Sequence, residues 1–129
     1  MEYLADTVAL VRHMSGAGKI GRKAKEILKS ADRGDSTIYI SIFSMVEIMY
    51  LAEIGKISVD FDEIKKRITD SDNYRLIDLN IEIVETGKEI KDLELHDRLI
   101  VATAKYLKVP ILTSDEEIQK SNSIKSIWR

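Results

Sequence analysis

The chain has 129 residues, 44% hydrophobic and 33% charged, which fits one folded domain over 1–129 and excludes disordered, collagen-like and coiled-coil architectures. It contains no cysteine and only two histidines, His13 and His96, which excludes disulfides and thiolate centres and argues against a multi-histidine zinc site; any metal site must be built from oxygens. The formal charge of −2 does not advertise a nucleic-acid binder, no apolar run reaches the ~18 residues of a membrane span, and Met1 leads into an acid rather than an export signal. The expected location is the cytoplasm, with no membrane partner.

The predicted elements alternate between strands and helices. Glu2 to Ala5 is a short apolar strand, followed by a helix over Thr7 to Met14 and a turn at Ser15-Gly16-Ala17-Gly18. A second helix runs from about Lys19 to near Gly34, with Ile20, Ala24, Ile27, Leu28 and Ala31 on one face. Thr37 to Ser41 reads as a strand, Ser44 to Ile54 as a helix, and Phe61, Ile64 and Ile68 mark another amphipathic helix. Tyr74 to Asp78 is a strand, Asn80 to about Asp92 and His96 to Leu107 are helical, and Pro110 to Thr113 and Ser123 to Trp128 are strands. This order predicts an α/β fold, a central, mainly parallel sheet with helices on both faces, because parallel neighbours need crossover connections.

Charge is unevenly distributed. Residues 1–29 carry six basic side chains, Arg12, Lys19, Arg22, Lys23, Lys25 and Lys29, against three acids, a balance of +3, while the remainder holds 14 against 19, or −5. A solvated helix face explains such a run, and a polyanionic ligand bound along the segment from Arg12 to Lys29, through Arg12, Lys19 and Arg22 especially, is the functional alternative.

Four acids lie where a solvated surface does not account for them. Asp6 follows the first strand and Asp115 follows Pro110-Ile-Leu-Thr-Ser, so both stand at carboxyl ends of strands, where open α/β sheets bind ligands. Helix capping is the competing explanation. Glu47 sits in Ser44-Met-Val-Glu-Ile-Met-Tyr-Leu-Ala on a helix whose sequence leaves almost no polar side, which predicts burial all round and core roles for Met45, Met49 and Tyr50. Ser44 and Glu47 also match a capping box, and both roles are compatible. Asp97 opens an apolar helix at His96-Asp97-Arg98-Leu99-Ile100, where a favourable helix dipole is the bland explanation.

Four converging carboxylates repel one another unless protonated or neutralised by cations. Hard divalent ions resolve the conflict, and Mg²⁺ or Mn²⁺ suits an all-oxygen set. The implied reaction is phosphodiester hydrolysis by a metal-activated water, without a protein nucleophile. Thr7, Thr113 and Ser114 place hydroxyls beside Asp6 and Asp115, suited to orienting ligands, with turn or cap roles as the alternative. No G-x-S-x-G elbow and no P-loop spacing is present, and His96 reads as an ordinary polar residue before a helix.

Tyr3-Leu-Ala-Asp6-Thr7, Ser44-Met-Val-Glu47, His96-Asp97-Arg-Leu-Ile-Val-Ala-Thr-Ala104 and Ile111-Leu-Thr-Ser-Asp115, in this order and spacing, resemble the PIN-domain ribonucleases. In size the chain is similar to a single-domain VapC-type toxin of a toxin–antitoxin pair. That resemblance implies a three-layer αβα sandwich, metal-binding roles for Asp6, Glu47, Asp97 and Asp115, and a supporting hydroxyl at Thr113. It also implies an Mg²⁺- or Mn²⁺-dependent endoribonuclease acting on RNA, a homodimer, and a cognate antitoxin as partner. Glu117 lies where some members carry a fifth acid, while Ile118 stands where an aromatic is frequent.

Two rival readings use the same residues. A phospho-acceptor signalling domain has a similar length and strand–helix order, with Asp78 as acceptor and Ser114 or Thr113 as switch hydroxyl, although the acid pair beside Asp6 and the late Lys-Pro are missing. A PIN-like module that binds without catalysis is the other, since a site held about 1 Å too loose does not work.

Overall fold

The computed structural model describes residues 1–129 and contains five strands and seven helices. They are β1 (Glu2–Ala5), α1 (Thr7–Ser15), α2 (Arg22–Asp32), β2 (Thr37–Ser41), α3 (Ile42–Glu53), α4 (Phe61–Thr69), β3 (Tyr74–Ile77), α5 (Ile81–Glu89), α6 (Leu95–Leu107), β4 (Ile111–Leu112), α7 (Glu116–Lys120) and β5 (Ser126–Ile127). The strands lie in the order β3-β2-β1-β4-β5, and every neighbouring pair is parallel.

Alternation along β1 divides the core. Tyr3 and Ala5 join α1–α4 through Leu10, Leu28, Ile48 and Ile64, whereas Leu4 joins α5–α7 through Ile83, Val101 and Ile118. The sheet is therefore buried on both faces, and the three-layer αβα sandwich implied by the sequence is observed, with a sheet that is wholly parallel. Parallel pairing also puts the strand ends in one place. Ala5 registers against Leu112, and the Asp6 amide donates to the Leu112 carbonyl at 3.1 Å, so Asp6 and Thr113 leave the sheet side by side.

Several local expectations are corrected. Helix α2 begins at Arg22 rather than Lys19: Gly16 and Gly18 have φ of 70° and 87°, and the Lys19 carbonyl accepts from Arg12 Nη1 at 2.8 Å, outside any helical ladder. The chain then passes so close to the C-terminal segment that a Cβ on Gly21 would lie 2.1 Å from the Trp128 carbonyl oxygen. Helix α3 starts at Ile42 directly from β2, and Ser41 caps it by accepting from the Phe43 amide at 3.0 Å, so the Ser44–Glu47 capping box does not form. Nor is α3 buried all round. Met45 and Ile48 are in the core, but Val46, Met49, Tyr50 and Ile54 are exposed, which removes Met49 and Tyr50 from the predicted core. Helix α7 was absent from the predicted elements, because five residues with one buried side chain, Ile118, carry no readable periodicity.

Candidate active site

The carboxyl edge of the sheet assembles a small depression of about 90 Å³ lined by Asp6, Thr7, Glu47, His96, Asp97 and Asp115, with Val8, Ile100 and Ile118 as apolar wall. Four elements, two strands and two helices, supply the acids. Asp6 and Asp115 leave the adjacent strands β1 and β4, Glu47 projects from the second turn of α3, and Asp97 from the first turn of α6.

Capping and convergence turn out to be joint properties of the same residues. Asp6 caps α1 by accepting from the Ala9 amide at 2.8 Å through Oδ1, while its Oδ2 accepts from the Thr113 hydroxyl. Asp115 caps α7 by accepting from the Glu117 amide at 2.8 Å, and its own amide donates to Thr113 Oγ1 at 3.0 Å. The buried Thr113 hydroxyl thus joins two acids. Asp97 makes no capping bond and no ion pair with Arg98, whose guanidinium turns to the Ile90 carbonyl instead.

Glu47 is held by the buried Thr7 hydroxyl, which Ser44 supports in turn. Thr7 Oγ1 lies 2.6 Å from Glu47 Oε1 and 2.9 Å from Ser44 Oγ. Its single proton goes to the carboxylate, leaving its lone pairs for the serine. The other Glu47 oxygen lies 3.5 Å from His96 Nδ1, and the histidine ring packs edge-on against Phe43. Neither Ser44 nor His96 was assigned to the site from sequence. Ser44 precedes Glu47 by three residues on one helix face, a spacing that carries the signal once the helix is known to begin at Ile42.

Burial and mutual repulsion mark the electrostatics. Burial pushes the Asp6 carboxyl up to about 6, opposed by hydrogen bonds from Thr113 and the Ala9 amide and reinforced by the charges of Asp115 and Asp97. Asp97 is also raised, first by burial and then by Asp115, Glu94 and Glu47.

The acids share a depression without closing on one point. No three of them stand near enough to enclose a single ion, which corrects the expectation of oxygens within a few ångströms. Asp6, Asp115 and Glu47 are each held from behind by hydrogen bonds that fix their separate positions. The donor set nevertheless fits a hard cation: it is all carboxylate, and Mg²⁺ takes only one or two carboxylates directly while keeping several waters.

Other predicted residues fall outside. Glu117 is exposed and does not line the depression, whereas Ile118 does. Asp78 follows β3, the edge strand, separated from β1 by β2, so the phospho-acceptor arrangement does not assemble around Asp6.

Comparison with known proteins agrees with this architecture. The family model described as PIN domain matches residues 3–122. Curated protein sequences give no match. Among solved structures, a toxin–antitoxin complex from Klebsiella pneumoniae is 21% identical, with a TM-score of 0.66 over 95% of this chain and 94% of that one. VapBC2 from Rickettsia felis, bound to a DNA fragment from its promoter, is 16% identical with a TM-score of 0.71 and full coverage of both chains. PAE2754 from Pyrobaculum aerophilum is 17% identical with a TM-score of 0.62, over 98% of this chain and 83% of that one.

Proposed function

The chain belongs to the PIN domain family, and from that premise we propose that it is a metal-dependent endoribonuclease, the toxin of a toxin–antitoxin pair. The observation that carries the reading is the shared depression of Asp6, Glu47, Asp97 and Asp115 at the carboxyl edge of the sheet. Members of this family are nucleases that generally use divalent metal ions, and the all-carboxylate donor set suits Mg²⁺ or Mn²⁺.

In this reading the four acids would hold metal, one or two carboxylates directly and the others through its waters, and the surrounding side chains hold the acids. Thr113 fixes Asp6 and receives the Asp115 amide, so one hydroxyl sets the relative position of two ligands. Thr7 and Ser44 orient Glu47. Ile100 and Ile118, both buried, form the apolar backing of the acids, and Asp6 is the one acid largely withdrawn from water. When bound, divalent ions supply the positive charge that admits a phosphodiester to an acidic pocket and the acidified water that attacks it in line.

The partners follow from the same reading. The Klebsiella and Rickettsia proteins are solved in complexes with antitoxins, and we assign this chain a cognate antitoxin and a homodimeric state, with RNA in the cytoplasm as its target. The exposed apolar side chains Val46, Met49 and Tyr50 on α3, with Ile54 just beyond its end, provide surface of the kind partners cover.

Purified protein incubated with structured and unstructured RNA in Mn²⁺, then in excess chelator, tests the reading. Cleavage that requires the metal and disappears in Asp97→Asn, with circular dichroism unchanged, is the expected result. Chelator-resistant cleavage, or full activity in the variant, overturns it. A protein that binds millimolar Mn²⁺ neither in calorimetry nor in cleavage is the inert module instead.

A further inference from the structure

The depression beside the four acids holds about 90 Å³, room for ions, water and a phosphate but not for the flanking nucleotides of a polymer. A chain-like substrate needs a track outside it. A much larger groove of about 720 Å³ lies next door, between the start of α2 and the strip formed by α7 and β5. Helix α7 is the shared wall: Asp115 and Ile118 face the acids, whereas Glu116 and Gln119 face the groove. Gln119 Nε2 also donates to the Thr113 carbonyl at 3.0 Å, tying the groove wall to the residue that fixes Asp6.

The groove combines an aromatic ring with unpaired cations. Lys23, Lys125 and Arg129 line it, and none of them takes part in an ion pair. Trp128, the only tryptophan of the chain, also lines it, half-buried. Its position is fixed from behind: its carbonyl accepts from the Ala24 amide at 3.1 Å, and its Cδ1 edge lies against Gly21, where a Cβ would approach to 2.8 Å. Only a glycine admits this contact, so α2 and the tryptophan are held as one surface. Glu26 and Glu116 line the groove as well, which leaves one net positive charge and makes stacking, not bulk charge, the distinguishing contact. Of the basic segment Arg12 to Lys29, Arg12 is spent on the Lys19 carbonyl, and Lys23 is the member that reaches this groove.

We propose that this groove carries single-stranded RNA flanking the scissile phosphate, with a base stacked on Trp128 and phosphates bound by Lys23, Lys125 and Arg129; the inference rests on the ribonuclease reading of the acid pocket. An ordered aromatic face beside cations is how proteins bind single strands without reading sequence. The groove's position across α7 from the acids lets one strand occupy both.

The single tryptophan makes the test direct. Full-length protein in excess chelator is titrated with an oligouridylate of about a dozen nucleotides while Trp128 fluorescence is followed. Saturable quenching is expected. In Lys23→Gln/Lys125→Gln, which leaves the tryptophan in place, binding should weaken about fivefold, and the slope of log affinity against log salt should shrink by about 0.7 per lysine removed. Binding without quenching, affinity and salt slope unchanged in the double variant, or tighter binding of an oligodeoxythymidylate of equal length overturns the proposal. A second arm separates this from the parent reading. Wild-type protein that quenches but never cleaves in Mn²⁺ defeats the nuclease and spares the groove, whereas unimpaired cleavage of the oligomer by the double variant defeats the groove and spares the nuclease.

Discussion

Removing the charge of Asp6 should stabilise the metal-free protein, and the gain should depend on pH in a direction the structure fixes. Asp6 is 8% exposed, and its carboxyl is pushed from 3.8 to about 6 in the folded state, chiefly by burial. Between those two values the folded chain binds the proton and the unfolded chain does not, so stability falls as pH rises through that window. One pKa unit corresponds to ~1.4 kcal/mol, which makes the whole effect about 3 kcal/mol, on the order of 1.4 kcal/mol of it between pH 5 and 7.5. For a chain of this length that is a Tm difference of roughly 5 °C.

Asp6→Asn is the clean perturbation. Its side-chain oxygen can still cap α1 at the Ala9 amide, and its amide can donate to Thr113 Oγ1, so geometry is preserved while the charge is gone. The assay is thermal unfolding of both proteins in chelator from pH 5 to 7.5. The wild type should melt below the variant at pH 7.5, and the gap should narrow steadily towards pH 5. Adding Mn²⁺ should reverse the order, because a cation favours the ionised carboxylate. A gap that is constant with pH, or one that widens towards pH 5, would refute the claim that burial of an ionisable Asp6 sets this cost.

Three further outcomes follow from particular contacts. Gly21→Ala places a Cβ 2.1 Å from the Trp128 carbonyl, and since backbone must shift, a loss of about 1–3 kcal/mol is expected in urea unfolding; an unchanged midpoint would remove the close approach. Tyr74→Phe deletes the 2.7 Å donation to Asp32, which also lies 2.9 Å from His13 Nε2. Because burial and the neighbouring Asp32 push the Tyr74 hydroxyl well above its ordinary range, it stays a donor at every working pH, and its loss should cost about 1 kcal/mol by the same measurement. Thr7→Ala should lower Mn²⁺ affinity about tenfold in calorimetry with the fold retained, as loss of a group orienting a ligand does, and Thr7→Ser should restore it; equal affinity in all three proteins refutes a positioning role.

The layers of the fold were legible because the long helices carry their own periodicity and short apolar or β-branched runs stand between them, and β2 was placed at the residues where it occurs. Asp6 and Asp115 were legible for a topological reason: a strand that ends in an acid, in a parallel sheet, delivers that acid to the common carboxyl edge. What sequence did not supply was pairing. The adjacency of β1 and β4, which are separated by more than a hundred residues, is what brings Thr113 to Asp6, and no local pattern announces it. The same limit hid the groove, since Lys23 and Trp128 meet only after α2 docks against β5. Helix α7 went unseen because a helix of one and a half turns has no face to repeat.

Glu47 reaches the depression for a reason other than the one its sequence offers. Its selection rested on a helix expected to be apolar on all sides, where a carboxylate would be costly without a partner. In the structure α3 exposes Val46, Met49 and Tyr50, so the cost of burial is not what singles Glu47 out. Its restraint is local: Ser41, immediately before the first helical residue Ile42, caps the helix and fixes its phase. With that phase Ser44, Ser41 and Ile48 turn inward, and Glu47 falls at the rim between core and solvent, opposite Thr7. Shifting the helix start by the three residues that the capping-box reading required would rotate Glu47 by most of a turn relative to β2. The cap therefore places Glu47 as firmly as the sheet places Asp6, and Ser41→Ala should weaken Mn²⁺ binding in calorimetry while circular dichroism shows the helix content retained; unchanged affinity would separate the position of Glu47 from the cap.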